Sequence, residues 1–225
     1  NNLSVAVNFV VPGLLEATAG CPPNTTRQYR FTADQPGSFF FCDDLNGELG
    51  RAMGLSGPLL VMPADGGQRL GVNGPAFDRQ YTLLLSELDT RINNAVSQGL
   101  PYDLNDYAPD YFFINGLSYP ATVDDPETHV VMATGEQIAL RFINAGLIYS
   151  PMHFHGYHVQ VIQRDRQPEQ AVIDKDTVLA RHGECVDTLL PVTQPGTYPL
   201  HTHYVPGVTA NGVYARGALV TMTAS

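Results

Sequence analysis

The segment Ser150-Pro151-Met152-His153-Phe154-His155-Gly156-Tyr157-His158-Val159-Gln160-Val161 carries a His-x-His inside an apolar run. A second segment, Tyr198-Pro199-Leu200-His201-Thr202-His203-Tyr204, carries another. Both read as β-strands. In an extended strand, residues i and i+2 share a face, so each segment presents two imidazoles on one side. If the two strands are neighbours, four imidazoles converge. Imidazole is the commonest side-chain ligand of transition metals and suits copper and zinc. The two pairs hold four of the seven histidines in the chain. His153, His155, His201 and His203 are therefore the candidate metal ligands.

Around these segments, strands are expected at 111–115, 129–132, 137–143, 153–162, 184–190, 196–202 and 216–223. Turn signals such as Thr134-Gly135-Glu136 and Gln194-Pro195-Gly196 separate them. That spacing is the pattern of a β-sandwich. Residues 90–110 read as a long loop with a helical turn near Ile92–Val96. Upstream, 4–11, 27–33, 38–42 and 57–62 read as strands, and 43–53 as loop. The Gly-, Pro- and Asp-rich stretch after Met62 reads as a linker. The expected organisation is all-β, with a partial domain over 1–63, a linker over 64–79 and a complete sandwich over 80–225. The first region offers about four strands where a closed sandwich needs about seven. It is read as incomplete at its N-terminus, or as completed by another chain.

The bulk numbers agree with an ordered β protein. The chain has 225 residues, 44% hydrophobic and 15% charged, with 21 glycines and 17 prolines. A net charge of −10 disfavours nucleic acid or an anionic membrane surface as partner, because either repels it. No apolar stretch of about 18 residues is present, so no membrane span is expected. The chain opens at Asn1 with no signal-peptide pattern, which a processed, exported protein and a trimmed sequence would share. Three cysteines, Cys21, Cys42 and Cys185, leave at least one unpaired, and none has CxxC spacing.

Four segments together resemble the multicopper oxidases of the cupredoxin superfamily, most nearly the two-domain bacterial group. They are Phe31–Phe41, Gly54–Val61, Pro151–Gly156 and Pro195–His203; Phe113–Gly116 and Arg141–Gly146 fit as well. The resemblance runs from about residue 2 to the end. It implies two cupredoxin-like Greek-key β-sandwich domains and a copper-dependent oxidoreductase family outside the cytoplasm, periplasmic or secreted. Such enzymes take electrons at a type 1 copper held by a Cys, two His and usually a weak Met. They reduce dioxygen at a three-copper cluster held by four His-x-His pairs. Trimers are common among two-domain relatives.

Carried over residue by residue, the resemblance keeps only part of that machinery. His153/His155 and His201/His203 match the second-domain pairs. Ala6-Val7-Asn8 and Cys42-Asp43-Asp44 stand where the first-domain pairs belong. Ser150, Thr202 and Gly207 stand at type 1 ligand positions, and Met222 cannot rebuild a site lacking its Cys and both His. The expectation is a degenerate member that binds at most one ion, copper or alternatively zinc, through two to four of the histidines. It would not be a self-sufficient laccase. Two alternatives stay open: a structural or interaction subunit of a larger extracytoplasmic assembly, and an oxidase completed by a different subunit. An oligomer or a hetero-complex is expected in each case. Whether Cys42 and Asp44 coordinate is open, and so is a Cys21–Cys42 disulfide. Asp187 is read either as an acceptor orienting a histidine or as an ordinary polar residue. His129, His158 and His182 are read as surface or hydrogen-bonded residues.

Overall fold

The computed structural model describes all residues, Asn1–Ser225. The strands in chain order are β1 (Gly37–Cys42), β2 (Ser56–Val61), β3 (Arg79–Leu88), β4 (Tyr111–Ile114), β5 (Val130–Met132), β6 (Gln137–Asn144), β7 (Ser150–Phe154) and β8 (Val159–Arg164). They continue with β9 (Gln167–Pro168), β10 (Asp174–Lys175), β11 (Thr177–Ala180), β12 (Cys185–Pro191), β13 (Gly196–Thr202), β14 (Thr209–Ala210), β15 (Val213–Tyr214) and β16 (Leu219–Ala224). Three short helices interrupt them: α1 (Glu48–Ala52), α2 (Thr90–Ser97) and α3 (Ala121–Asp124). No helix is long and apolar enough to cross a membrane.

Two sheets face each other in the second region. One runs β10-β8-β12-β6-β3-β4, with β9 beside β8; the other runs β11-β7-β13-β16-β5. The central strands β6 and β12 are buried almost throughout, which explains their nearly continuous apolar sequence. β8 and β16 are covered on one face only and alternate, Val-Gln-Val-Ile-Gln-Arg and Leu-Val-Thr-Met-Thr-Ala. Leu83, Phe142, Met152, Phe154, Leu200 and Val220 fill the space between the sheets. Each such side chain contributes roughly 1.5–3 kcal/mol by leaving water.

The upstream region has β1 and β2 as an antiparallel pair, joined to the rest of the chain by packing. Phe40, Cys42 and Val10 pack with Ile143, Ala145 and Cys185. Leu70 and Phe77, in the expected linker, are buried against Ala139 and Leu189, so that stretch is docked on the larger sheet. A buried polar network crosses the same junction. Asp187 accepts from Arg141 at 3.2 Å, from Gln163 at 2.6 Å and from the Ser38 hydroxyl. Arg141 also donates to Gln80 at 3.0 Å. Asp187 thus serves an arginine and not a histidine. The strand carrying it, and Ser38 on β1, are fixed together.

Five expectations need correction. Residues 4–11 make only isolated bridges, Val7 with Cys21, Val10 with Cys42 and Val11 with Leu15. The segment 27–33 forms no strand; its alternation is met by side-chain packing, with Tyr29 stacked on Phe9 at 5.8 Å. The expected loop 43–53 contains α1. The expected strand 153–162 is two strands, β7 and β8, parted at Gly156, whose φ of +74° a side chain rarely adopts. The expected helical turn is the full helix α2, capped by the Asp89 carboxylate, which accepts from Arg91 N at 3.0 Å and Ile92 N at 3.4 Å.

Candidate functional site

β7 and β13 are antiparallel neighbours, with His153 directly opposite His201. Alternation then sends all four imidazoles to one side of the five-stranded sheet. His153 lies 4.9 Å from His155, 5.7 Å from His201 and 4.5 Å from His203, ring centre to ring centre. His201 lies 5.2 Å from His155 and 5.6 Å from His203. His155 and His203 are exposed, and His153 and His201 are half-buried.

The ring nitrogens are ordered by their neighbours. His153 Nδ1 is 3.1 Å from the Asp176 carbonyl and 3.0 Å from the Thr177 hydroxyl. His201 Nδ1 is 3.0 Å from the Thr202 carbonyl. A carbonyl only accepts, so at both rings the proton sits on Nδ1 and Nε2 carries a lone pair; that of His201 accepts from His155 Nε2–H, a proton an ion would displace. Burial lowers the pKa of His153 and of His201, and the neighbouring imidazoles push the same way. Both effects favour neutral rings, the form that binds a metal.

The Nε2 atoms of His155 and His201 are 3.1 Å apart. Two nitrogens bonded to one ion at about 2.0–2.1 Å subtend that separation at roughly 100°, near tetrahedral. The donor set therefore fits a copper or zinc ion at this pair. No group of three or more His, Cys, Asp or Glu side chains is gathered closely enough to hold an ion without rearrangement. The rings adjoin in cross-strand pairs and do not form a closed cage.

The other expected positions are also brought together, with different chemistry. Asn8 N donates to Asp43 at 2.8 Å, and the Asn8 amide group donates to Asp44. In return Asn8 Oδ1 accepts from Asp44 N at 2.9 Å and Leu45 N at 3.2 Å. Asn46 Nδ2 ties Asp43 to the Ala6 carbonyl, at 2.8 and 2.9 Å. Cys42 is buried, and burial raises its thiol pKa. All three cysteines are free thiols. At the remaining positions, Ser150 Oγ donates to Thr202 Oγ1 at 3.1 Å, and a Cβ on Gly207 would lie 2.6 Å from Thr202 Cγ2. Ser150 and Thr202 wall a cavity of about 20 Å³ with Glu87, Phe112, Ile148 and Tyr204. That is room for about one water. Met222 sits opposite Tyr198, away from Thr202.

Sequence reasoning missed the groups that orient the rings and wall this cavity. Thr177 opens β11 and lies opposite His153 in the β7 ladder. The run Thr177-Val178-Leu179-Ala180 was its available signal. Glu87 is buried and accepts from Leu147 N, from Ile148 N at 3.2 Å and from the Tyr107 hydroxyl at 3.5 Å. Burial raises its pKa despite those donors. Nothing local in the strand sequence marks Glu87 as buried. His129 bonds Thr223 at 3.0 Å, and His158 and His182 are exposed.

A family model described as multicopper oxidase matches residues 96–216. The multicopper oxidase MmcO of Mycobacterium tuberculosis is 33% identical over 90 residues, 40% of this chain and 16% of that protein. The chain thus spans about a sixth of this curated relative. The blue copper oxidase of Nitrosomonas europaea superposes with a TM-score of 0.84 at 24% identity, over 100% of this chain and 71% of that one. The copper nitrite reductase of the same organism gives 0.76 at 21%, over 100% and 76%. At these identities the structural likeness speaks for the fold alone.

Proposed function

This chain belongs to the multicopper oxidase family, and from that premise we propose that it is a copper-binding member whose metal is held by His155 and His201, with His153 and His203 as further ligands. The observation that carries this reading is the 3.1 Å approach of two Nε2 atoms, at least one of which is left unprotonated by its own Nδ1–H bond to a carbonyl. At most one ion is proposed, with zinc as the alternative metal. A bound ion would supply a Lewis-acidic or one-electron centre. The chain's own part is to hold the rings neutral, through partial burial, and to aim His153 and His201 through the Asp176 and Thr202 carbonyls.

The proposal does not include laccase activity by this chain alone. No thiolate stands beside Ser150 and Thr202, and a soft thiolate is what an electron-transfer copper requires. Asn8, Asp43 and Asp44 spend their hydrogen-bonding capacity on one another and on their own loops. We read residues 1–63 as a partial cupredoxin-like domain and 80–225 as the complete one, supported by the two facing sheets lying wholly after residue 78. A periplasmic or secreted setting and an oligomer or hetero-complex belong to the same proposal, by analogy with the family.

A second reading, a structural or interaction subunit, is favoured by β2. It pairs only with β1 and leaves one edge unpaired. Copper titration followed by ligand-field and electron paramagnetic resonance spectra separates the two. Under the copper reading, wild type binds close to one equivalent with nitrogen hyperfine structure, and the double variant His153→Ala/His201→Ala loses it. Equal metal content in both proteins ends the copper reading.

A further inference from the structure

A feature far from the histidines in function and chemistry is Arg166. It occupies the second position of the two-residue turn between β8 and β9, where Arg164 pairs with Gln167. Asp165 and Arg166 have φ of +45° and +68°. That is the turn geometry that favours glycine or asparagine at this place. A long cationic side chain is kept there instead.

The side chain is held in a formed cradle. Its guanidinium carbon lies 4.3 Å from the centre of the Phe39 ring. A Cβ on Gly37 would fall 2.5 Å from Arg166 Cγ, and one on Gly13 would fall 2.7 Å from Arg166 Nη2. Two glycines of the upstream region therefore leave the room that the arginine fills. The guanidinium is nevertheless under-used. Arg166 makes no ion pair, although seven other arginines do. Its one hydrogen bond runs from Nη1 to the Ser38 carbonyl at 3.4 Å. Nε is buried and has no acceptor. A buried donor without a partner is destabilising and calls for an explanation.

The unpaired atoms, Nε and Nη2, form the edge by which arginine takes a carboxylate with two parallel hydrogen bonds. Beside that edge is a cavity of about 230 Å³, walled by Arg166, Pro12, Gly13, Phe39, Phe40 and Gly183. A second cavity, about 350 Å³, borders the other side of the same arginine near Gly71; Nη2 is turned to Gly13 and so to the first. The Asp165 carboxylate also reaches the first cavity, but it accepts from Cys185 N at 2.9 Å and lies beyond ion-pair distance of Arg166. The walls combine Pro12, Phe39 and Phe40 with the polar Asp165 and Cys185, and the guanidinium meets the space through Nη2.

We propose that Arg166 and this cavity form a binding site for a small organic carboxylate, its first oxygen on Nη2, its second on Nε as the guanidinium turns toward the cavity, and its apolar part against Phe39 and Phe40. The site is independent of the metal reading. The probe is benzoate, with benzamide as the neutral ligand of the same shape, titrated calorimetrically at pH 8 and constant ionic strength. Wild type is expected to bind benzoate saturably and benzamide at least tenfold more weakly. Arg166→Lys keeps the charge but loses the fork, and is expected to weaken benzoate at least tenfold. His153→Ala/His201→Ala is expected to bind as wild type. A second measurement needs no variant to stay folded: in wild-type protein the Arg166 Nε–H resonance shifts as benzoate is added. Absence of saturable binding, equal affinity in the lysine variant, or an unmoved Nε–H resonance overturns the proposal.

Discussion

Arg141 and Asp187 form an ion pair at 3.2 Å with each side chain only 2% exposed, and the pair links the β6–β12 ladder to Ser38 of β1. A pair of this kind is weak evidence of net stability, since both charges are stripped of water. Removing one member is another matter. Arg141→Met leaves a buried carboxylate with Ser38 and Gln163 as its remaining donors, and is expected to cost about 3–5 kcal/mol. Arg141→Met/Asp187→Leu should recover most of that loss. Urea denaturation of the two variants checks it, and equal losses would refute the argument.

The pH dependence of stability carries a sign. Burial lowers the folded pKa of His153 and His201 below the unfolded value of about 6.5. Between the two values the unfolded chain binds more protons, so stability is lost as pH falls below about 6.5 and levels off below the folded pKa. Glu87 has the opposite sign: its raised pKa makes it a liability as pH rises through the folded value. It is common to both proteins in a comparison of wild type with His153→Gln/His201→Gln. The metal-free variant should therefore show a flatter stability profile between pH 5 and 7 by chemical denaturation.

The contact between Gly207 and Thr202 predicts an order dependence. A Cβ at Gly207 meets Thr202 Cγ2 at 2.6 Å. Gly207→Ala alone should destabilise by about 1–3 kcal/mol through overpacking. Thr202→Cys removes Cγ2, so Gly207→Ala should cost clearly less in that background. A thermal-denaturation double-mutant cycle reads the coupling, and additive losses would show that the two positions do not touch.

Copper added to wild type should give no intense blue band. Ser150 and Thr202 offer hydroxyls, and the thiolate that produces such colour is lacking there. Absorption spectra of the copper-loaded protein test this directly, and a strong band would place a cysteine at the metal.

Much of this was readable from residues alone. His153 and His201 lie on short alternating strands, and the i, i+2 rule needs nothing but extended backbone. The sandwich followed from regularly spaced turns. Three things were not readable. Whether 27–33 finds a ladder depends on a partner strand, and its alternation was equally suited to packing against Phe9. The break at Gly156 looked like a strand interior because Phe154 and Val159 continue the apolar pattern across it. The pairing of Asp187 with Arg141 is a cross-strand register between residues far apart in sequence, which local pattern does not encode.

The hydrogen bonds around Asn8 also act as a clasp between two loops. Asn8 is donor to Asp44 and acceptor for the Asp44 and Leu45 amides at once. A substitution at either position breaks this exchange and loosens the two loops from each other. The strength of that clasp is therefore set by one side chain that must give and take hydrogen bonds together, a demand that no other residue type meets with the same shape.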